Sequence, residues 1–159
     1  MLFRSLDIGR AITGSLDLDG ILETSAGILS RITDGSNAFI LLLDAGAGAL
    51  RGAACSNPVW REEFRQVRIS LDDDRSVAVR CVRLRAPVAV ADVAASEFAA
   101  NERVVRFQEA SVLAVPLLVR DEPIGCVLVD DTRGPREWSA PEIERAALIG
   151  HQLAVAVAN

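Results

Sequence analysis

A chain of 159 residues, half of them apolar, with a formal charge of −5, suits one domain that buries about 70% of its unfolded surface without staples or metal. Net acidity with no dense basic stripe argues against direct nucleic-acid binding, whose affinity rests on phosphate contacts. No apolar run approaches the length of a membrane span, the N-terminus carries no secretory signal, and Cys55, Cys81 and Cys126 form no CxxC pair, so the chain reads as cytoplasmic with reduced, buried thiols.

In chain order, residues 2–12 read as the end of one helix, with Leu2, Leu6 and Ile12 apolar. Asp17 is placed to cap a second helix, in which Leu18, Ile21, Leu22, Ser25, Ile28, Leu29 and Ile32 recur at helical spacing and Gly35 provides a stop. The run Ala38–Leu43 predicts a strand, Asp44–Gly48 a turn, and Ala49–Cys55 a second strand. Val67–Leu71 alternates as a third strand, and Ser76–Leu84 reads as a short helix preceded by the acidic Asp72–Asp74. Pro87–Val90 is a fourth strand, and residues 91–110 are irregular.

Ser111–Val119 predicts a fifth strand, in which Pro116 belongs at an edge or bulge because it lacks a ladder donor. Arg120–Pro123 turns the chain into an antiparallel sixth strand, Ile124–Asp130. Ser139-Ala-Pro-Glu142 is a capping box with proline in the first turn of a final helix. That helix carries one apolar stripe through Ile143, Ala146, Gly150 and Leu153, and further apolar residues at Leu148, Ile149, Val155 and Ala156. A helix lying on a sheet needs one apolar face, so the second predicts contact with another helix or subunit. The order of elements gives an α+β layout with a mostly antiparallel sheet and the terminal helices grouped on one side.

Six segments together resemble the GAF domain family along nearly the whole chain: Ala11–Asp19, Leu41–Asp44, Ala86–Asp92, Ser111–Pro116, Pro123–Asp130 and Trp138–Glu142. The resemblance implies a six-stranded, mostly antiparallel sheet with helices on both faces and the N- and C-terminal helices packed together. It further implies a small-molecule pocket between the sheet and residues 91–110, and dimerisation through the terminal helices. Effectors such as a histidine kinase or a transcriptional activator would be attached. On this reading residues 1–159 are a single GAF domain. Asn159 closes an apolar helical stretch without a glycine cap or basic turn, which predicts a fragment of a longer signalling protein.

The family's ligands demand particular residues. Bilin-binding members attach the chromophore through a Cys commonly followed by His. Here no His follows Cys55, Cys81 or Cys126, and the only His, His151, sits in the last helix. Bilin and haem are therefore both disfavoured. Cyclic-nucleotide members carry Asn-Lys, a later Phe and an acidic pair; this chain has Asn101-Glu102, Phe107 and then Ser111-Val112. A family enzyme reduces free methionine sulfoxide through reactive Cys, but its Cys-bearing segments are absent, and buried structural thiols are favoured here. One His also argues against a Ser-His-Asp triad. Asp130 and Asp131 are adjacent, so their side chains should point to opposite faces and close the strand rather than share a proton.

The leading expectation is a non-catalytic sensory domain whose pocket is mostly apolar with a few polar anchors. Ser76, Asp92, Asn101 and Ser111 are the polar candidates, and Phe98, Phe107 and Val115 the walls. Leu6, Leu148, His151 and Val155 are the candidate dimer contacts. The alternative is a dimerisation or protein-interaction module with a filled pocket, and no metal site is expected.

Overall fold

Every side chain from Asn37 to Leu42 is buried in strand β1 (Asn37–Asp44). Successive strand residues point to opposite faces, so this strand requires cover on both. The computed structural model, which describes residues 3–159 with side chains from Leu18 onward, shows how both covers are supplied. The sheet order is β3-β2-β1-β6-β5-β4, antiparallel throughout. Its strands are β1, β2 (Ala49–Cys55), β3 (Arg68–Ser70), β4 (Val88–Val90), β5 (Ser111–Val119) and β6 (Glu122–Asp131).

One face is covered by the short helices α2 (Arg61–Arg65), α3 (Val77–Leu84) and α4 (Glu102–Arg106), with a 3-10 turn at Val93–Ala95. Phe39, Leu41, Cys126 and Val112 point into this layer. The terminal helices α1 (Phe3–Ile32) and α5 (Ala140–Ala158) share the opposite face and touch each other. Ala38, Ile40, Leu113, Val115, Val127 and Val129 point there. Leu22, Ala26 and Leu29 of α1 and Ala146, Leu153 and Ala154 of α5 fill that layer, all at most 3% exposed. The α+β architecture inferred from the sequence is thus the observed one.

Two details differ from the sequence reading. The first helix is continuous from Phe3 to Ile32, so Asp17 falls within it rather than capping a second helix. Its left-handed terminal residue is Asp34 (φ 50°). Gly35 donates its N–H to Ser30 O at 2.9 Å and is needed for a different reason: a Cβ there would lie 2.4 Å from Val129 Cγ1. Helices α2 and α4, five residues each, are too short for periodicity to reveal.

Other local expectations hold. Arg120 and Asp121 both have positive φ (51° and 65°), as a two-residue type I′ hairpin between β5 and β6 requires. Pro116 pairs only with β6, because β4 reaches no farther than Ala114; the strand is locally an edge there, where a missing donor costs nothing. The α5 capping box forms reciprocally: Ser139 Oγ accepts from Glu142 N at 3.2 Å, and Glu142 Oε1 accepts from Ser139 N at 2.9 Å.

Candidate functional site

Between the sheet and α3–α4 lies a partly open cavity of about 40 Å³, room for about three water molecules. Phe39 and Leu41 of β1, Val112 of β5 and Leu128 of β6 form its floor, with Phe64 and Phe107 at the sides. The rings interlock, Phe39 lying 4.9 Å from Phe64 and 5.3 Å from Phe107 between centroids, with Trp60 5.0 Å from Phe107. Tilted contacts at such spacings are favourable beyond their buried area. Ser76, Asn101, Arg103 and Glu109 supply the polar lining.

Short capping bonds set these groups in place. Ser76 caps α3, its Oγ accepting from Val79 N at 3.2 Å. Asn101 caps α4, its Oδ1 accepting from Arg103 N at 2.9 Å, while its Nδ2 donates to Arg75 O at 2.9 Å. One side chain thereby fastens the α4 segment to the loop before α3. Arg103 adds a second tie, donating to Asp73 Oδ2 at 2.9 Å, and Arg106 a third, donating to Glu63 Oε1 at 2.6 Å.

Glu109 of the lining is one member of an acid pair. Asp130 is fully buried on the cavity side of β6, its Oδ1 accepting from Asn37 N at 2.9 Å and from Asn37 Nδ2 at 3.2 Å. The carboxyl of Glu109 meets it. Burial pushes Asp130 up to about 7 in spite of the Asn37 bonds. Burial first, and the Asp130 charge second, raise Glu109 well above the usual carboxylate range. Two carboxyls in contact resist carrying two charges, so the pair retains protons to a higher pH than free carboxyls do.

Asp131 faces the other way. Its carboxylate accepts from Arg133 at 2.8 Å and Arg136 at 3.2 Å, and the Arg133 bonds chiefly hold it down at about 2. The expected opposition of Asp130 and Asp131 is therefore seen. Asp130 nevertheless meets a second carboxyl, that of Glu109, which the sequence reading did not anticipate.

The match that decides the family is to the GAF domain profile, which covers residues 17–157. The chain belongs to the GAF domain family. No curated protein matches it. Among solved structures it is similar to a methyl-accepting chemotaxis protein domain (22% identity, TM-score 0.76, covering 95% of this chain and 94% of that one). It is also similar to a domain of a putative two-component sensor histidine kinase from Sinorhizobium meliloti 1021 (21%, TM-score 0.69, 89% and 91%). A third neighbour is the GAF domain of PixJ from Thermosynechococcus elongatus in its blue-light absorbing form (18%, TM-score 0.72, 91% and 87%). GAF domains are commonly non-catalytic sensory or regulatory modules.

In this GAF domain, Ser76, Asn101 and Phe107 line the cavity. The other four expected pocket residues do not. Ser111 and Val115 sit on the opposite face, in register with Leu113, because β5 alternates and only Val112 and Ala114 look toward the cavity. Ser111 is a structural anchor: its hydroxyl accepts from Trp138 Nε1 at 2.8 Å and donates to Val90 O at 3.0 Å. Asp92 is exposed and caps the 3-10 turn. Phe98 is buried in the same layer but under Arg80, 5.2 Å from its ring centroid, rather than on the cavity wall. Glu109, Arg103 and Phe64 line the cavity and were not singled out from the sequence.

Of the expected dimer contacts, Leu148 (59% exposed) and Val155 (48%) face outward on α5 beside the exposed His151. Leu6 lies outside the residues whose side chains are described. The thiols are all buried. Burial pushes Cys55 up to about 11 and Cys81 to about 12, and raises Cys126 as well. No helix among the described residues is long and apolar enough to cross a membrane.

Proposed function

We propose that this GAF domain is a non-catalytic cytoplasmic sensor that holds a small molecule in the cavity under α4 and passes the change to its terminal helices. One observation carries the reading: an aromatic-walled cavity with a few polar groups stands on the same strands whose reverse face carries α1 and α5. The strands are one residue thick, so Phe39 and Ile40 serve the cavity and the helices in turn. A ligand that spreads α4 from the sheet would bias the packing of α1 on α5, and couplings of about 1–3 kcal/mol suffice for regulation. The attached effector would be of the histidine kinase or transcriptional activator kind. Residues 1–159 would act as one unit in it.

At 40 Å³ the cavity admits only a small ligand unless α4 moves. That volume supports neither a bilin nor a haem, and no Cys lines it. The buried, protonated thiols support a structural role over a thiol-dependent reductase, since the thiolate is the nucleophile. The same small volume favours a second reading, a protein-interaction module with a filled pocket. Thermal shift against a panel of small metabolites separates the two. A ligand at 100 times its Kd should stabilise the domain by about 2.7 kcal/mol, while silence across the panel favours the second reading.

Exposed apolar residues on both terminal helices, Ile21, Ile28 and Ile32 on α1 with Leu148 and Val155 on α5, support a homodimer through this face. Glutamate at both Leu148 and Val155 is expected to halve the hydrodynamic mass in sedimentation. An unchanged mass would remove the helix interface.

A further inference from the structure

We propose a second ligand site, independent of the cavity: the groove between α1 and the β2–β3 edge binds a small phosphoester. Arg51 and Arg68 hold its phosphate, and its apolar body lies on a leucine floor. The groove is open and holds about 240 Å³, against about 40 Å³ in the cavity. A small organic molecule therefore enters it without any element moving, as ligand sites are mostly pre-formed.

The site follows from strand register. Arg51 of β2 pairs with Leu42 of β1 on one side and with Arg68 of β3 on the other. Residues paired across an antiparallel ladder share a face, and Leu42 belongs to the layer that α1 covers. Both arginines therefore stand on the α1 side of the sheet, directly opposite each other, and both line the groove. Like charges so placed are destabilising. No acid relieves them, for neither arginine makes an ion pair with a described residue. Arg68 turns one guanidinium nitrogen to the carbonyls of Arg65 at 3.0 Å and Val67 at 2.8 Å.

The surroundings add to the excess of positive charge, in a chain whose net charge is −5. Arg65 of α2 also lines the groove and shares Glu23 of α1 with Arg61, which lies 3.4 Å from it. One carboxylate thus serves two guanidinium groups. Asp19 of α1 is on the lining but pairs with no described arginine. The Nε of Arg61 is buried with no hydrogen-bond partner among the described residues, an arrangement that native proteins seldom leave uncompensated. The cluster is short of acceptors.

The chemistry of the lining names the ligand. A carboxylate satisfies one guanidinium fork, whereas the three terminal oxygens of a phosphoester reach two. Arginine is the side chain suited to such recognition. Leu18, Leu22, Leu42 and Ala53 supply the rest of the surface, which a bare phosphate would leave in water. An apolar group on the phosphate covers it.

The test is calorimetric titration of the domain with butyl phosphate, inorganic phosphate, butyrate and butylammonium, with amide chemical shifts to locate the ligand. Butyl phosphate is expected to bind at least about tenfold tighter than inorganic phosphate, through its buried carbons, and than butyrate, through its second fork. Butylammonium should not bind. Shifts are expected at residues 51–53 and 67–69 rather than 101–107. Arg51→Gln should weaken butyl phosphate at least about tenfold, while the unliganded variant melts no lower than the parent because a repelling pair is gone. Arg51→Lys should restore part of the affinity. Phosphatidylcholine vesicles containing phosphatidic acid present the same head on a membrane. Co-sedimentation that depends on Arg51 would assign the phosphate to a lipid, and its absence to a soluble phosphoester. Silence toward butyl phosphate overturns the inference, as does unchanged affinity in Arg51→Gln or equal affinity for butyrate. Shifts confined to residues 101–107 would overturn it as well, and would place the ligand in the cavity in support of the sensory reading. A hit elsewhere in the metabolite panel leaves that reading standing whatever this groove does.

Discussion

The two faces of the sheet are built from the same strands but to different ends. The helix-bearing reverse face is made mostly of aliphatic and small residues: Ala26, Ala38, Ala54, Ala146 and Ala154 are each fully buried. Gly150 of α5 lies close enough to β5 that an added Cβ would be 3.5 Å from Pro116 O. The cavity face is covered by pieces of five to eight residues, and it holds all the clustered phenylalanines, the three thiols and the Glu109–Asp130 pair. Close packing transmits displacement, because interiors near crystal density deform little. Loose packing with buried polar groups gives a place where a small molecule can alter the energy. The contrast assigns transmission to one face and reception to the other.

A pair of leucines tests this contrast most severely. Leu113 of β5 points into the helix-bearing face and is 1% exposed, whereas Leu128 of β6, paired with the next residue Ala114, lines the cavity. Truncation costs the transfer energy plus a term for the void left behind. Leu113→Ala is expected to cost about 4 kcal/mol and Leu128→Ala about 2 kcal/mol in urea unfolding, because the wall of an existing cavity has fewer contacts to lose. Equal losses would mean that both faces are packed alike.

The next effect concerns the strand end where the faces part. Asp131 ties β6 to the segment entering α5 through Arg136, which also pairs with Glu142 and lies 4.0 Å over the Trp138 ring. Asp131→Asn is expected to cost about 2 kcal/mol at pH 7, the scale of charge-assisted bonds to a buried acceptor. Its carboxyl sits at about 2 in the folded state. The unfolded value is about 3.9, so this stabilisation is complete above that pH and disappears as the pH falls toward 2. The variant should lose less stability than the parent on acidification over that range.

Across the sheet the sign reverses. Glu109 and Asp130 both bind protons more tightly folded than unfolded, so their contribution is complete below about pH 4. It declines as the pH rises through Asp130's value of about 7. Glu109→Gln leaves a neutral amide to donate to Asp130 and is expected to flatten the fall in stability between pH 5 and 8, gaining about 1 kcal/mol relative to the parent over that range. Thermal melts at half-unit pH steps would read it. Parallel curves for the two proteins would show that the pair is already compensated.

How far these features could be read from sequence depended on their periodicity. β2 was legible to the residue, and the capping box at Ser139 to the atom, because each rests on local chemistry. The facing of β5 was not legible: Ser111-Val-Leu-Ala-Val115 is apolar on both sides, so no polar alternation marks which residues meet the cavity. Ser111 and Val115 were misplaced for that reason. Glu109 lies in a segment without repeat and gains its environment only when β6 brings Asp130 beside it. Asp130 did carry a signal, an acid ending an apolar strand, but its partner is set by tertiary structure. The five-residue helices α2 and α4 fall below the length at which helical spacing is detectable.

The smallest expected effect bears on how the receiving face opens. α4 has no buried residue of its own, though it presents Arg103 and Val104 to the cavity. It is held by the Asn101 cap, the Arg103–Asp73 pair and the more exposed Arg106–Glu63 pair. Exposed pairs contribute about 0–1 kcal/mol, so Arg106→Ala should lower global stability by no more than about 0.5 kcal/mol. Its local consequence differs in kind. The amides of Val105 and Phe107 donate to Asn101 O and Arg103 O, bonds that break when α4 lifts without the sheet unfolding. Hydrogen exchange at those two amides should quicken in the variant while the β1 and β6 amides keep their rates, since local opening draws on local stability. If all four sets quickened together, α4 would open only with the whole sheet, and reception and transmission would be one cooperative unit rather than two faces with separate tasks.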